Sequence, residues 1–242
     1  MNRRDVRELA GSVGLGAWTA FVVLTMVVLG DGKPLYGDED LTSWSVGHRP
    51  DVAVALAHGL TATGTGVIPY VLAALAGIIA GRTPRRRAVA AALCLVCLGT
   101  AQAARHGVMK LVARPRPAPA DWATHASGWA FPSGHATTAA LTAGLLVIAV
   151  YVRAPRGRNL LALVVGCWGA LVGLTRVYLG VHWFTDVVGG WLFALGWLGL
   201  WLCAATWWLP EESVQATTHT GQEPTEDHAP QDPGRRGRPR PA

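Results

Sequence analysis

Two histidines, a carboxylate and several cations stand at the edges of long apolar runs in this chain: Phe131-Pro132-Ser133-Gly134-His135, then Arg176, His182 and Asp186. Polar groups are costly near a bilayer, so such a set asks for a chemical role. His182 and Asp186 are four residues apart and can meet across one helical turn. A carboxylate on one imidazole nitrogen fixes the tautomer and leaves the other nitrogen free to attack. Arg176 lies six residues before His182, so a short turn brings its guanidinium over the same place. Pro132-Ser133-Gly134-His135 sits where an apolar run begins, and a helix N-terminus there offers free N–H groups to an anion. Ser133 suits the cap and can donate its hydroxyl, and Gly134 lets backbone approach a ligand. His135 is then placed to protonate a leaving oxygen. The run from Lys110 to Pro117 adds Lys110, Arg114 and Arg116. A nucleophile, a proton donor and cations around the equatorial oxygens are what phosphoryl transfer requires.

The elements that must position these groups are helices in a membrane. Of 242 residues 51% are hydrophobic and only 15% charged, against roughly a quarter in a soluble domain. The apolar residues are gathered into long runs, which is the pattern of a polytopic membrane protein. The expected fold class is all-α, with six transmembrane helices and a helical-bundle core. The spans are placed at 12–29, 64–80, 88–107, 137–152, 160–179 and 184–208. The stretch 51–63 is apolar but broken by Gly and Thr, and is expected to lie along the interface. The first ten residues lack a signal-peptide cleavage pattern, so the first run is read as an uncleaved span. Residues 1–208 form the membrane domain. Residues 209–242 are too polar to fold and are expected to be a disordered cytoplasmic tail, with His219 and His228 solvated in it.

Charge sets the orientation. Arg3, Arg4 and Arg7 precede the first span, Arg82, Arg85, Arg86 and Arg87 follow the second, and Arg153, Arg156 and Arg158 follow the fourth. These flanks share one side, which the positive-inside rule makes cytoplasmic. The acidic link 31–51 falls outside. The link 108–130 also falls outside yet carries Lys110, Arg114 and Arg116, so topology does not account for those cations. Trp207 and Trp208 end the last span, as an interfacial belt would. The net charge of +6 resides mainly in short links, without a basic helix face, which argues against a nucleic-acid partner. Cys94, Cys97, Cys167 and Cys203 lie in apolar runs and are read as small packing residues, since no second pair of metal ligands accompanies Cys94 and Cys97. His58, His106 and His125 are read as core or loop residues.

Together these segments resemble the type 2 phosphatidic acid phosphatase superfamily. That group includes lipid phosphate phosphatases, undecaprenyl pyrophosphate phosphatases, glucose-6-phosphatase and the vanadium haloperoxidases. Its pattern is K-x6-R-P, then P-S-G-H, then S-R-x5-H-x3-D. The second motif is complete here, and the third is complete from Arg176 to Asp186 with Thr175 in place of the serine. In the first, Arg116-Pro117 fits but the lysine position falls on Met109, with Lys110 one residue late. One residue turns a helical side chain by about 100 degrees. Lysine's long stem is expected to let Lys110 reach the phosphate all the same, with Arg114 as a further candidate ligand.

The resemblance implies an integral membrane lipid phosphatase or pyrophosphatase. His182 would attack phosphorus and become a phosphohistidine, Asp186 would orient it, and His135 would be the general acid and then activate water. Lys110, Arg116, Ser133, Gly134 and Arg176 would bind phosphate. The resemblance implies no cofactor and no metal. The partners expected are the bilayer and a lipid phosphate such as undecaprenyl pyrophosphate, phosphatidic acid or phosphatidylglycerol phosphate, at an active site facing outward from the cell membrane. The displaced lysine favours one alternative, a catalytically silent protein that keeps the scaffold and binds lipid phosphates. A transporter would call for paired broken helices or charges in mid-span, and the sequence offers neither.

Overall fold

The computed structural model describes residues 3–31, 33–153 and 156–208. The tail 209–242 lies outside the described residues, as do the side chains of Trp207 and Trp208. Eight α-helices follow one another: α1 (Arg3–Asp31), α2 (Asp38–Gly47), α3 (Asp51–Thr63), α4 (Ile68–Ala80), α5 (Pro84–Val112), α6 (Gly134–Arg153), α7 (Arg158–Tyr178) and α8 (Phe184–Trp208). The described residues contain no strand. Helices α1, α5, α6, α7 and α8 are each long and apolar enough to cross a membrane. Their outward faces carry exposed Leu15, Val23, Met26, Val96 and Leu163, the surface that acyl chains solvate.

The sixth span differs from expectation. Helix α4 alone has 13 residues, which at about 1.5 Å per residue is too short for a bilayer core. It passes as a span only together with α3, across a bend of 52°. The stretch 51–63 forms a helix of its own that packs on α7, and its bend against α4 is the geometry of a broken span or a re-entrant loop. The sequence accounts for the break: Gly64 and Gly66 interrupt the chain, and Pro69 starts a new helix where its missing N–H is not needed.

Local signals set the other ends. Thr83 caps α5 by accepting from the Arg86 amide at 3.3 Å, with Pro84 as the first helical residue. At its far end Ala113 takes a left-handed conformation, φ 46°, which stops the helix and turns the chain into Arg114.

Helix α6 packs on α4, α7 and α8, and α1 packs on α8. The α1–α8 crossing needs two glycines. A Cβ on Gly14 would stand 2.9 Å from the Cα of Gly199, and one on Gly199 would stand 2.6 Å from the Cα of Gly14. The core beside this crossing is aromatic. Phe21 stacks on Phe131 at 5.8 Å and meets Phe193 edge-on at 5.4 Å, while Phe193 stacks on Trp197. Phe131 is fully buried, so the loop that leads into Pro132-Ser133-Gly134-His135 is nailed to the core by its own aromatic ring. The C-terminal ends of α5 and α7 and the N-terminal ends of α6 and α8 converge at one end of the bundle. The arginine-rich links Arg82–Arg87 and Arg156–Arg158 leave the opposite ends of these helices.

Candidate active site

His182 is buried in the turn between α7 and α8, 3% exposed. Its Nδ1 faces the Asp186 carboxylate at 3.3 Å, and its Nε2 lies 2.9 Å from Nη1 of Arg116. A guanidinium can only donate, so Nε2 must be the unprotonated acceptor and Nδ1–H the donor to Asp186. The ring is thus held in the tautomer whose free lone pair is on Nε2. Burial pushes its pKa down to about 4, against the pull of Asp186. The imidazole is therefore neutral at physiological pH, as a nucleophile must be.

Asp186 is fully buried in the first turn of α8. It accepts from the Trp183 amide at 2.9 Å and from Nη1 of Arg114 at 2.6 Å, besides His182. Arg114 is also buried. Its second terminal nitrogen donates to Asp38 at 2.9 Å, and Nη1 also donates to the Thr185 hydroxyl at 2.8 Å. Asp38, at the start of α2, is fully buried and accepts in addition from the Thr185 amide and hydroxyl and the Leu35 amide. One cation between two carboxylates, with the remaining lone pairs bonded, is the arrangement that offsets the cost of burying charge. Arg114, expected as a possible phosphate ligand, is thereby corrected: its guanidinium is committed to Asp186 and Asp38 and fixes the carboxylate beside His182 from behind.

Arg116 spends its N–H groups on the loop and on His182. It donates to the carbonyls of Gly128 at 2.9 Å, Ser127 at 2.9 Å, Trp129 at 3.1 Å and Val181 at 2.7 Å. Burial lowers its pKa, but a guanidinium stays charged. The N–H on His182 Nε2 is the one that can turn to an oxygen of a phosphoryl group docked at that nitrogen. Arg176, in the last turn of α7, is 4% exposed and donates only to the Thr61 hydroxyl of α3, at 3.2 Å, with its Nε unpartnered. A buried cation with spare donors awaits an anion.

Ser133 is fully buried and caps α6, its hydroxyl accepting from the Ala136 amide at 3.5 Å. Its own amide donates to the Asp186 carbonyl at 3.0 Å, which ties the α6 N-terminus to the first turn of α8. That tie needs Gly190, where a Cβ would stand 2.9 Å from the Ser133 carbonyl oxygen. The Phe131–Pro132 peptide is cis. His135 opens α6 and is half-buried, and among the described residues no protein group hydrogen-bonds its ring. Arg176, His182, Arg116 and Arg105 all act on it electrostatically, which places it among them.

The structure thus gathers Arg116, Ser133, Gly134, His135, Arg176, His182 and Asp186 at one end of the bundle. Lys110 is not among them. It is exposed, and Met109 takes the buried position beside it. The 100° slip turns the lysine off the site-facing side of α5, which corrects the expectation that its stem could reach. Two buried charged residues went unread: Asp38, inside an acidic run that reads as a solvated link, and Arg105, near the end of a span. An arginine inside an apolar run was a usable signal for the second.

A bundle of membrane-spanning helices with a buried His–Asp pair ringed by arginines defines the class, and sequence comparison gives the family: residues 90–210 match the PAP2 superfamily, and the chain belongs to it. It is similar to phosphatidylglycerophosphatase B of Bacillus subtilis (strain 168), 32% identical over 139 residues, which is 55% of this chain and 66%, just under two thirds, of that protein. The fold is similar to that of the first transmembrane PAP2 type phosphatidylglycerolphosphate phosphatase from Bacillus subtilis, solved by crystallography. The TM-score is 0.64 at 24% identity, over 87% of this chain and 99% of the other.

Proposed function

We propose that this protein is a membrane phosphatase that hydrolyses a lipid phosphomonoester or pyrophosphate, with phosphatidylglycerophosphate as the first substrate to try. The observation that carries the reading is the neutral His182, its Nδ1 on Asp186 and its Nε2 lone pair aimed at a ring of arginines. The name of the Bacillus subtilis relative supports the choice of substrate. His182 Nε2 attacks phosphorus, the bond from phosphorus to the lipid oxygen breaks, and His135, which holds a proton once the phosphate dianion is bound beside it, gives that proton to the oxygen. The imidazole now carries positive charge, which Asp186 stabilises. Neutral His135 then takes a proton from water, whose oxygen attacks phosphorus. The P–N bond breaks, inorganic phosphate leaves and His182 is neutral again. Arg116, Arg176 and the α6 N–H groups meet the charge on the equatorial oxygens.

Charge supplied by guanidinium groups needs no metal in this scheme. Phosphate release by purified protein from a panel of phosphatidylglycerophosphate, phosphatidic acid and undecaprenyl pyrophosphate is the test. Turnover of at least one lipid, undiminished in EDTA and inhibited by vanadate, is expected. A wild-type chain that binds these lipids without releasing phosphate would instead be the silent scaffold.

A further inference from the structure

The first motif lacks its cation. Met109 stands where the pattern calls for lysine, buried and facing the site, and Lys110 is exposed. One turn back on the same face of α5 lies Arg105, 8% exposed. Resting on the phosphatase reading above, we infer that Arg105 is the phosphate ligand that replaces the missing lysine, reaching the phosphoryl oxygens from α5 through its terminal nitrogens.

Four observations carry this. First, the guanidinium lies against the Pro132-Ser133-Gly134-His135 loop: a Cβ on Gly134 would stand 3.4 Å from Arg105 Cζ and 3.5 Å from Nη1. The guanidinium thus lies within van der Waals reach of the α6 N-terminus, where an anion would sit. Second, no carboxylate pairs with Arg105 among the described residues, whereas the buried Arg114 has two. Its partners are Gln102 Oε1 at 3.0 Å, the ring of His106 at 2.9 Å and, for Nη1, the Met109 sulfur at 3.5 Å. A thioether is a weak acceptor, so Nη1 has donors to spare. A guanidinium cannot shed its proton to lower the cost of burial, and an anion is what offsets it.

Third, the side chain is aimed. Gln102, which holds Nε of Arg105, donates its amide to the Thr138 hydroxyl, and that hydroxyl donates to the Gly134 carbonyl at 2.7 Å. The network joins α5 to the first turn of α6 and fixes the guanidinium over it. Fourth, the charges of Arg105 and Arg116 oppose each other, so both stand at the same site. Two cations in mutual repulsion are relieved by a dianion between them. Met109 is then a spacer, whose flexible stem fills the room beside Gly128, 3.6 Å from where a Cβ would stand, and backs the arginine.

The test compares wild type, Arg105→Gln, Arg105→Gln/Met109→Lys and Lys110→Ala, each as monodisperse protein in detergent. The readouts are kcat/KM for release of phosphate from a short-chain lipid phosphomonoester and the inhibition constant of vanadate. Arg105→Gln should lose roughly 100–1000-fold in kcat/KM, as for one transition-state charge contact, and should bind vanadate more weakly. The double variant, with its cation one turn along the same face, should recover a large part of both. Lys110→Ala should match wild type. Wild-type kcat/KM in Arg105→Gln overturns the inference, as does impaired turnover with vanadate inhibition unchanged, which would make the residue structural. Inactivity of the wild type on every lipid tried would sink the phosphatase reading itself, a separate outcome.

Discussion

His182 and His135 are chemically alike, and their surroundings separate their roles. His182 has a carboxylate on one nitrogen and the Arg116 guanidinium on the other, whereas among the described residues nothing hydrogen-bonds the His135 ring, which sits at the opening of a helix. His182→Ala should therefore abolish turnover and leave no acid-labile phosphoenzyme. His135→Ala should be nearly inactive on lipids yet still become labelled by an aryl phosphate, whose leaving group needs little protonation. Rapid-quench labelling with radioactive phosphate reads both, and a phosphoenzyme in His182→Ala but none in His135→Ala would exchange the roles. The pH profile gives a second check. An imidazole held down to about 4 by burial stays neutral, and so nucleophilic, as the pH falls from 7 to 5. Below that it protonates and its lone pair is lost. The acid limb of kcat/KM that belongs to His182 should thus appear near pH 4 and not near 6.5, and Asp186→Asn should lower the rate by several orders of magnitude. At this scale the motif residues were legible because their spacing is itself the geometry: four residues put His182 on Asp186. Asp38 was not, because nothing local distinguishes it from Glu39 and Asp40. Only the distant Arg114 and Thr185, brought up by the fold, make it a buried carboxylate.

Among the elements, the long helices announced themselves by their length and hydropathy, and only their ends moved. Helix α5 runs from Pro84 to Val112 where 88–107 was expected, since Arg85, Arg86 and Arg87 in its first turn and Lys110 near its end bound the apolar run but do not stop the helix. The α3–α4 pair was hidden for a different reason: 64–80 reads as a span by itself, and the bend that joins it to α3 is a tertiary fact. Small residues decide how the elements meet. On α8, Gly190 faces Ser133 and Ala136, and a Cβ there would stand 2.9 Å and 3.0 Å from their nearest atoms. Gly190→Val should push the α6 N-terminus off α8 and spoil the alignment of Ser133 and His135 with His182. Overpacking of this kind costs about 1–3 kcal/mol. A lowered melting temperature together with a larger fall in kcat/KM is expected, while Gly16→Val, at an exposed position where an added Cβ meets nothing within 4 Å, should leave both near wild type. Equal effects of the two substitutions would mean that the α6–α8 contact does not set the site.

At the scale of the whole molecule, the question is which side of the membrane the site faces. The bundle separates two ends. One gathers His182, His135 and Arg116, and the other carries Arg82, Arg85, Arg86 and Arg87 at the start of α5 and Arg156 and Arg158 at the start of α7. Cations in short links are retained on the cytoplasmic side, while at the site end Arg114 is buried between carboxylates and Arg116 is half-buried and bonded to the loop, so these two carry little topogenic weight. The site should therefore face outward, towards lipids of the outer leaflet. Ala120, in the link before α6, and Arg85, in the first turn of α5, are both exposed and lie at opposite ends, which makes them a matched pair of reporters. In a chain whose native cysteines have been replaced, Ala120→Cys should react with a membrane-impermeant maleimide on intact cells. Arg85→Cys should react only after permeabilisation. The reverse pattern would place the catalytic end in the cytoplasm and leave the arginines of the links without a topological role.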